Sequence, residues 1–363
     1  MKRNTLRASA SAAAVLSLAL VLGACGAGNE GSGDSGSGSL SGTLNGAGAS
    51  SQQAVVAAWK SSFQTENSDA TVNYDPVGSG GGREQFIAGG VDFAGSDAPL
   101  DDEELAAAKE RCGGEVVEVP VYVSPIAVVF NLEGVDSLNL SAQTIGAIFE
   151  GTITTWNDPA IAADNPDADL PSDPIVTVHR SDDSGTTKNF TAYLEETSGG
   201  SWTAGEVETW PTPEGESAQG TAGMIDRVGA TANSIGYADA SQAGELSTAA
   251  VKVGDEFVEY SPEAAAAILE KSAPIEGRGE TDLALEIDRA TEEAGVYPVV
   301  LVSYAIACQT YEDAEKAELV KGWLAYLVSD EGQETAASDA GAAPIGGDIA
   351  SKAQAAVETI SAG

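Results

Sequence analysis

The sequence predicts an α/β protein built on a mostly parallel sheet. Strand-like and helical runs alternate from about residue 40 to the C-terminus, the pattern of strands joined by crossover helices. Two longer apolar, β-rich stretches, 115–132 and 297–308, interrupt that alternation and read as core strands. Several strand-like runs end in loops of Gly, Ser and Thr that lead into a helical pattern, as in open α/β sheets that bind ligands beyond the carboxyl ends of their strands.

In order along the chain, SGTLNGAGAS (41–50) is a short strand ending in a glycine-rich turn. Val55, Trp59 and Phe63 then recur at helical spacing, so one face of that helix packs inward. ATVNYDPVG is a strand leading into SGGGREQFIAGG, a glycine loop and a short helix. VDFAGSDAPL is a strand with a loop, and DDEELAAAKE is a helix whose first turn is acidic, as the helix dipole favours. The stretch 115–132 carries Pro120 and Pro125 within a β-rich run. SAQTIGAIFEG is helical, and a Trp-Asn-Asp-Pro segment follows its turn. DPIVTVHR is a strand that runs straight into RSDDSGTT, with the helix TTKNFTAYLEE after it. SIGYADAS and YPVVLVSYAIAC read as strands, and EDAEKAELVKGWLAYLVSDEG as an amphipathic helix.

The ends and the composition bound the function. MKRNTLR followed by AVLSLALVLGA has the charged and apolar regions of an export signal, and the apolar run is short for a spanning helix. It stops at Cys25 in LGAC, which resembles the lipobox of bacterial lipoproteins. That resemblance implies cleavage after residue 24 and an extracytoplasmic protein anchored to the cell membrane by lipid on Cys25; an ordinary secreted protein is the alternative. Residues 25–40 then form a Gly/Ser-rich tether that cannot bury a core. The whole chain carries 17 Lys+Arg against 56 Asp+Glu, and loss of the leader would leave 14 against 56. No basic face is available for a phosphate backbone, so nucleic acid is excluded as a partner. Cys112 and Cys308 remain as an even pair in an oxidising compartment, and a disulfide between them is expected. One histidine and no C-x-x-C leave zinc chemistry almost nothing to work with, and neither a metal nor a cofactor is expected.

Four segments share a design in which a strand ends in a small-residue loop: GAGASS (46–51), GSGGG (78–82), GSDAP (95–99) and RSDDSGTT (180–187). The first, second and fourth stand just before a helix, where free N–H groups and the helix dipole favour an anion. Ser50, Ser79, Ser184 and Thr186 add hydroxyl donors. A single such loop is usually a simple N-cap, and it is their recurrence in one chain that points to a ligand. Arg180 has the fork that matches a tetrahedral oxyanion, with Asp182 placed to orient it, although a surface ion pair would use the same residues. The fourth loop also holds the sole histidine, His179, five residues before Ser184, so a serine phosphatase or hydrolase using Ser184 is a competing reading.

The segments GAGAS with AWKSSF, VNYDPVGSGGGREQFIAGGVDFAGSDAPL, IFEGTITTWNDPAI, RSDDSGTTKNFTAYL and SIGYADAS, in that order from about 41 to 240, resemble the phosphate-binding protein of bacterial ABC-type phosphate uptake. The resemblance implies a non-enzymatic binder of inorganic phosphate that delivers it to an ABC-type membrane permease. It implies a two-lobed, type II periplasmic-binding-protein fold with hinge crossovers near Pro120–Pro125 and Tyr297–Ser303. Domain I would comprise 41–120 plus 301–363 and domain II 121–300, in a monomer, with Cys112 and Cys308 both in domain I. Carried over position by position, the phosphate ligands would be Ser50, Ser51, Ser79, Asp97, Arg180, Ser184, Gly185 and Thr186, with Asp182 orienting the arginine. Ser51 stands where the family has an aromatic residue, which keeps the N–H but alters the packing. His179 is expected to pack or to lie at the surface. Asp97 in an anion pocket makes sense if the guest carries a proton to donate to it. Sulfate or molybdate, the alternative oxyanions, would lack that donor, and sites demanding a hydrogen bond can reject analogues by about 10⁴–10⁵.

Overall fold

The computed structural model describes residues 39–363. The expected leader, Cys25 and nearly all of the tether lie outside the described residues. Leu40 is already fixed to the body, its amide donating to Asn67 Oδ1 at 3.1 Å.

The first part of the chain alternates β1 (Ser41–Gly48), α1 (Gln53–Glu66), β2 (Asp69–Asp75), α2 (Ser79–Ile87), β3 (Phe93–Ser96) and α3 (Asp102–Cys112). β1 lies between β2 and β3 and is parallel to both. The expected inward face of α1 is buried through Val55, Val56, Trp59 and Phe63. Phe63 meets Trp323 edge-on with centroids 5.2 Å apart, and Trp59 Nε1 donates to the Gly332 carbonyl at 2.6 Å. α3 starts with a capping box between Asp101 and Glu104, as its acidic first turn foreshadows, and ends on Gly113.

β4 (Val116–Asn131) is a single long strand buried along almost its whole length, the pattern of a strand covered on both faces. After it come β5 (Leu138–Leu140), α4 (Ala142–Phe149), α5 (Pro159–Asp164), β6 (Val176–Arg180), α6 (Gly185–Thr197), β7 (Glu216–Ala218), α7 (Gly220–Ala230) and β8 (Ser234–Asp239). β9 (Ser247–Val253) and β10 (Glu256–Val258) form a hairpin, α8 (Pro262–Ala266) is short, and β11 (Ala273–Pro274) pairs with β12 (Leu285–Glu286). β13 (Val300–Cys308), β14 (Thr310–Tyr311), α9 (Ala314–Leu327), α10 (Asp330–Ala340), α11 (Gly347–Glu358) and β15 (Ser361–Ala362) complete the chain.

The main sheet runs β2-β1-β3-β13-β4-β8-β6-β7, with β9 branching from β4 and pairing in turn with β5 and β10. β4 joins its halves: Val116–Pro125 pairs with β13, and Ile126–Asn131 pairs with β8. The fold is therefore mixed α/β and two-lobed. The sheet is not mostly parallel as expected. β4 and β13 each run antiparallel to their neighbours, because the chain crosses from one half of the sheet to the other and back along them. Cys112, at the end of α3, is disulfide-bonded to Cys308, at the end of β13, with Cα atoms 5.3 Å apart. Aromatic packing anchors the second half: Phe190 stacks on Tyr237 at 4.3 Å, and Phe149 meets Phe190 edge-on at 5.0 Å. No described helix is long and apolar enough to cross a membrane.

Candidate functional site

The four small-residue loops converge where the two halves of the sheet meet. β1 and β3 are parallel neighbours, so Ala49–Ser51 and Ser96–Asp97 emerge side by side, and the Ala49 amide donates to the Gly95 carbonyl at 2.9 Å. α2 begins at Ser79 beside them, and Ser79 Oγ accepts the Asp97 amide at 3.1 Å. From the other half, β6 delivers Arg180 and α6 begins at Gly185. Gly80 N donates to the Asp183 carbonyl at 3.3 Å, and Asn189 Nδ2 donates to the Asp97 carbonyl at 2.7 Å. The fourth loop is thus packed against the second and third.

Asp97 is the focus of this contact. Its Oδ2 accepts from Ser51 Oγ at 2.6 Å and Thr186 Oγ1 at 3.1 Å, and its Oδ1 accepts from Ser303 Oγ at 2.8 Å. Burial pushes its carboxyl above the usual range, while these three hydroxyls and the charge of Arg180 pull it part of the way back. A buried acceptor with a raised pKa beside a cation suits a proton shared with an anionic guest.

Arg180 is 3 % exposed at its side chain and grips Asp182 through two nitrogens, Nε reaching Oδ1 at 2.8 Å and Nη2 reaching Oδ2. Nη2 also donates to Ser50 Oγ at 3.0 Å, which ties β6 to the first loop. Burial opposes ionisation of Asp182, but its hydrogen bonds to Arg180, that residue's charge and the Gly220 amide together hold it below the ordinary carboxylate range. The fork is therefore fixed in direction before any ligand arrives.

Ser50, Ser51, Ser79, Asp97, Arg180, Ser184 and Thr186 are all buried in one constellation. Ser184 caps α6 by accepting the Thr187 amide at 3.1 Å, which leaves its hydroxyl proton to donate elsewhere. Gly185 permits the close approach: a Cβ there would stand 2.5 Å from Ser79 Oγ and 2.8 Å from Asp97 Cβ. Gly78, at φ +102°, needs its conformational freedom as well as its lack of a side chain, since a Cβ would meet Asp182 Oδ2 at 2.7 Å. His179 packs, as expected of it: its ring stacks on Trp210 with centroids 5.0 Å apart, and Nδ1 faces the Arg180 carbonyl at 2.9 Å. That orientation gives Ser184 no base.

Several participants escape a reading of local sequence. Ser51 does more than fill an aromatic position, because its hydroxyl holds Asp97. Ser303 reaches Asp97 from β13, and Gln52 Nε2 supports Ser303 Oγ at 2.7 Å. The start of α7 is a further helix N-terminus at the site, with the Thr221 amide donating to Ser50 Oγ at 3.0 Å. Its Gln-Gly-Thr entry repeats the small-residue design of the other loops and was the one available signal. At the rim, Arg83 of α2 bridges Glu104 at 2.9 Å and Glu208, in the loop after α6, at 2.6 Å.

Residues 33–331 match the PBP superfamily domain. The chain is 38% identical over 309 residues to the phosphate-binding protein PstS 3 of Mycobacterium leprae, covering 84% of this chain and 83% of that protein. Among solved structures it resembles the high-affinity periplasmic phosphate-binding protein PfluDING bound with phosphate, with a TM-score of 0.69, 22% identity and coverage of 86% and 93%. A putative phosphate ABC transporter substrate-binding protein from Clostridium perfringens, also bound with phosphate, gives a TM-score of 0.60 at 21% identity, covering 84% of this chain and all of that one. The two structural likenesses speak for the fold. The superfamily match and the identity sustained over most of both sequences place this chain in the PstS family of phosphate-binding proteins.

Proposed function

We propose that the chain binds inorganic phosphate in the cleft between its two lobes and delivers it to an ABC-type permease, with no covalent step. The phosphate would take donors from Ser50, the Ser51 amide, Ser79, Ser184 and the Gly185 and Thr186 amides, and a charge-assisted bond from Arg180 held by Asp182. It would give its own proton to Asp97. The observation that carries this reading is that Asp97 and Arg180, both buried, are linked through neighbouring residues of one loop, Ser51 and Ser50. Donors alone would accept any oxyanion; a carboxylate among them favours a protonated one, because a like-charge contact costs several kcal/mol.

The lobes are assigned as 41–120 plus 301–363 for domain I and 121–300 for domain II. The change of partner along β4, from β13 to β8 at Pro125–Ile126, supports a hinge there. A monomer held outside the cytoplasm by lipid on Cys25 suits capture near a membrane. The acidity of the chain does not oppose binding, since surface charges beyond roughly 8–10 Å are screened while the pocket donors act in contact.

The test is calorimetric titration of the mature protein, freed of bound ligand, with phosphate and sulfate. Phosphate is expected to bind far more tightly, and Asp97→Asn to narrow the ratio by at least about tenfold, the cost of one charge-assisted hydrogen bond. An unchanged ratio would remove Asp97 from its discriminating role, and indifference to phosphate would refute the proposal.

A further inference from the structure

Behind the four loops lies a second buried carboxyl that the proposed pocket does not use. Asp239 ends β8 opposite Ile126 of β4 and is wholly shielded from solvent. Its Oδ1 accepts both the amide of Ser241, at 2.9 Å, and the hydroxyl of Ser241, so Asp239 caps the single turn that carries Gln242. Gln242 Nε2 in turn donates to the carbonyls of Ser50, at 3.1 Å, and Ser51, at 3.0 Å. Asp239 therefore positions a clamp on the first loop.

Its other oxygen is anomalous. Oδ2 is buried with no hydrogen-bond partner among the described residues, and so is the hydroxyl of Tyr122 on β4. Ser124, also on β4, stands beside the carboxyl without a well-formed bond to Oδ2. The charged neighbour acting on Asp239 from the end of β3 is Asp97, of the same sign, and both carboxyls act on Tyr122. From the turn after β8, Ser241 and Gln242, both neutral, face this region. An ionised carboxylate in such a place costs free energy that the neutral acid avoids. Burial raises its pKa to about 7, with Asp97 adding to the rise, against the opposing bonds from Ser241 and the nearness of the Ser124 hydroxyl.

We propose that Asp239 is a proton-linked positioning residue: its neutral form holds the Gln242 turn on the Ser50–Ser51 loop without adding a second unpaired carboxylate beside Asp97, and its ionisation sets a like charge behind the pocket that weakens the hold on the anion. This rests on the pocket assigned above. The proton is exchanged with solvent and no bond of the guest is altered. The sign follows from linkage: an anion in the pocket disfavours the ionised acid, so binding takes up a proton wherever Asp239 is ionised in the free protein, and affinity falls as pH rises through that range.

The experiment titrates inorganic phosphate into the wild type, Asp239→Asn, Asp97→Asn and Arg180→Ala from about pH 5.5 to 9. The ratio of Asp239→Asn to wild-type affinity cancels the ionisation of phosphate itself. That ratio should be level below about pH 6 and rise above about pH 7 with a limiting slope of about tenfold per pH unit, as one linked proton requires. A constant ratio across the range overturns the inference. Should the amide variant fail to fold by circular dichroism, Asp239→Ser, equally unable to ionise, replaces it with the same expected curve. If Asp97→Asn and Arg180→Ala leave phosphate affinity intact, the pocket assignment itself has failed; if they weaken it while the Asp239→Asn ratio stays flat, only the proton linkage has.

Discussion

Removal of the Arg180 side chain probes the site at its most constrained point. The guanidinium is almost fully buried and makes two bonds to Asp182 and one to Ser50 Oγ. Truncation of one member of a buried, hydrogen-bonded charge pair costs about 2–5 kcal/mol of affinity, which is a loss of roughly 30-fold to a few thousandfold. Part of that loss would come from the carboxylate of Asp182, left with the Gly220 amide at 3.0 Å as its bond from outside the pair. A double-mutant cycle separates the parts. Asp182→Asn alone should cost about 1 kcal/mol, since it loosens the fork and keeps its charge. If Asp182 acts only through the arginine, the double variant should bind phosphate no worse than Arg180→Ala, leaving a coupling energy of about 1 kcal/mol or more. Calorimetry on the four proteins measures every corner. A phosphate dissociation constant for Arg180→Ala within about threefold of wild type would refute the reasoning, and strictly additive losses would refute the orienting role of Asp182.

Three further outcomes are expected. Glu208→Gln removes one arm of the Arg83 bridge and leaves the Glu104 arm; loss of a hydrogen bond between charged groups, about 1.5–3 kcal/mol, should speed phosphate release by about tenfold to a hundredfold in stopped-flow, with Trp210, two residues away, as the fluorescent reporter. Unchanged release would detach that bridge from closure. Gly185→Ala forces a methyl group into Ser79 and Asp97 and should weaken phosphate by about 1–3 kcal/mol, whereas normal affinity would mean that the fourth loop yields. Asp239→Asn should raise the melting temperature at pH 8 more than at pH 5. A carboxyl whose pKa rises to about 7 on folding binds more protons folded than unfolded between about pH 4 and 7, so its burden on stability grows across that window to at most about 4 kcal/mol. Equal shifts at both pH values would show that Asp239 does not titrate.

What the sequence discloses follows the range of the forces involved. The loops at Ser50, Ser79 and Ser184 are visible because a glycine-rich turn and a helix start are local events, encoded within a few residues. Asp97 within GSDAP has no local signature that separates a ligand from a turn residue, and it becomes a site candidate through resemblance. Ser303 stands 206 residues from Asp97 in sequence, and Thr221 stands 171 from Ser50, so no spacing rule connects them. Strand direction is hidden for the same reason. The runs at 115–132 and 297–308 are plainly β-rich, but which strands flank them, and in which sense, is decided by contacts across the whole fold. The Ser51 hydroxyl shows how a departure from a family pattern can be absorbed: the position exchanges an aromatic contact for a bond to the neighbouring carboxylate.

The place of β13 between β3 and β4 constrains the order in which the molecule can be made. A nascent chain synthesises β1, β2 and β3 early, yet the inner edge of β3 has no neighbour until residues 300–308 have appeared. Strands that lack a neighbour expose backbone groups and invite mispairing. The N-terminal half therefore cannot close around a partial product, and a ribosome stalled before residue 300 would hold an unfinished sheet. The sheet is completed only when roughly the last fifth of the chain, which carries β13, has been made.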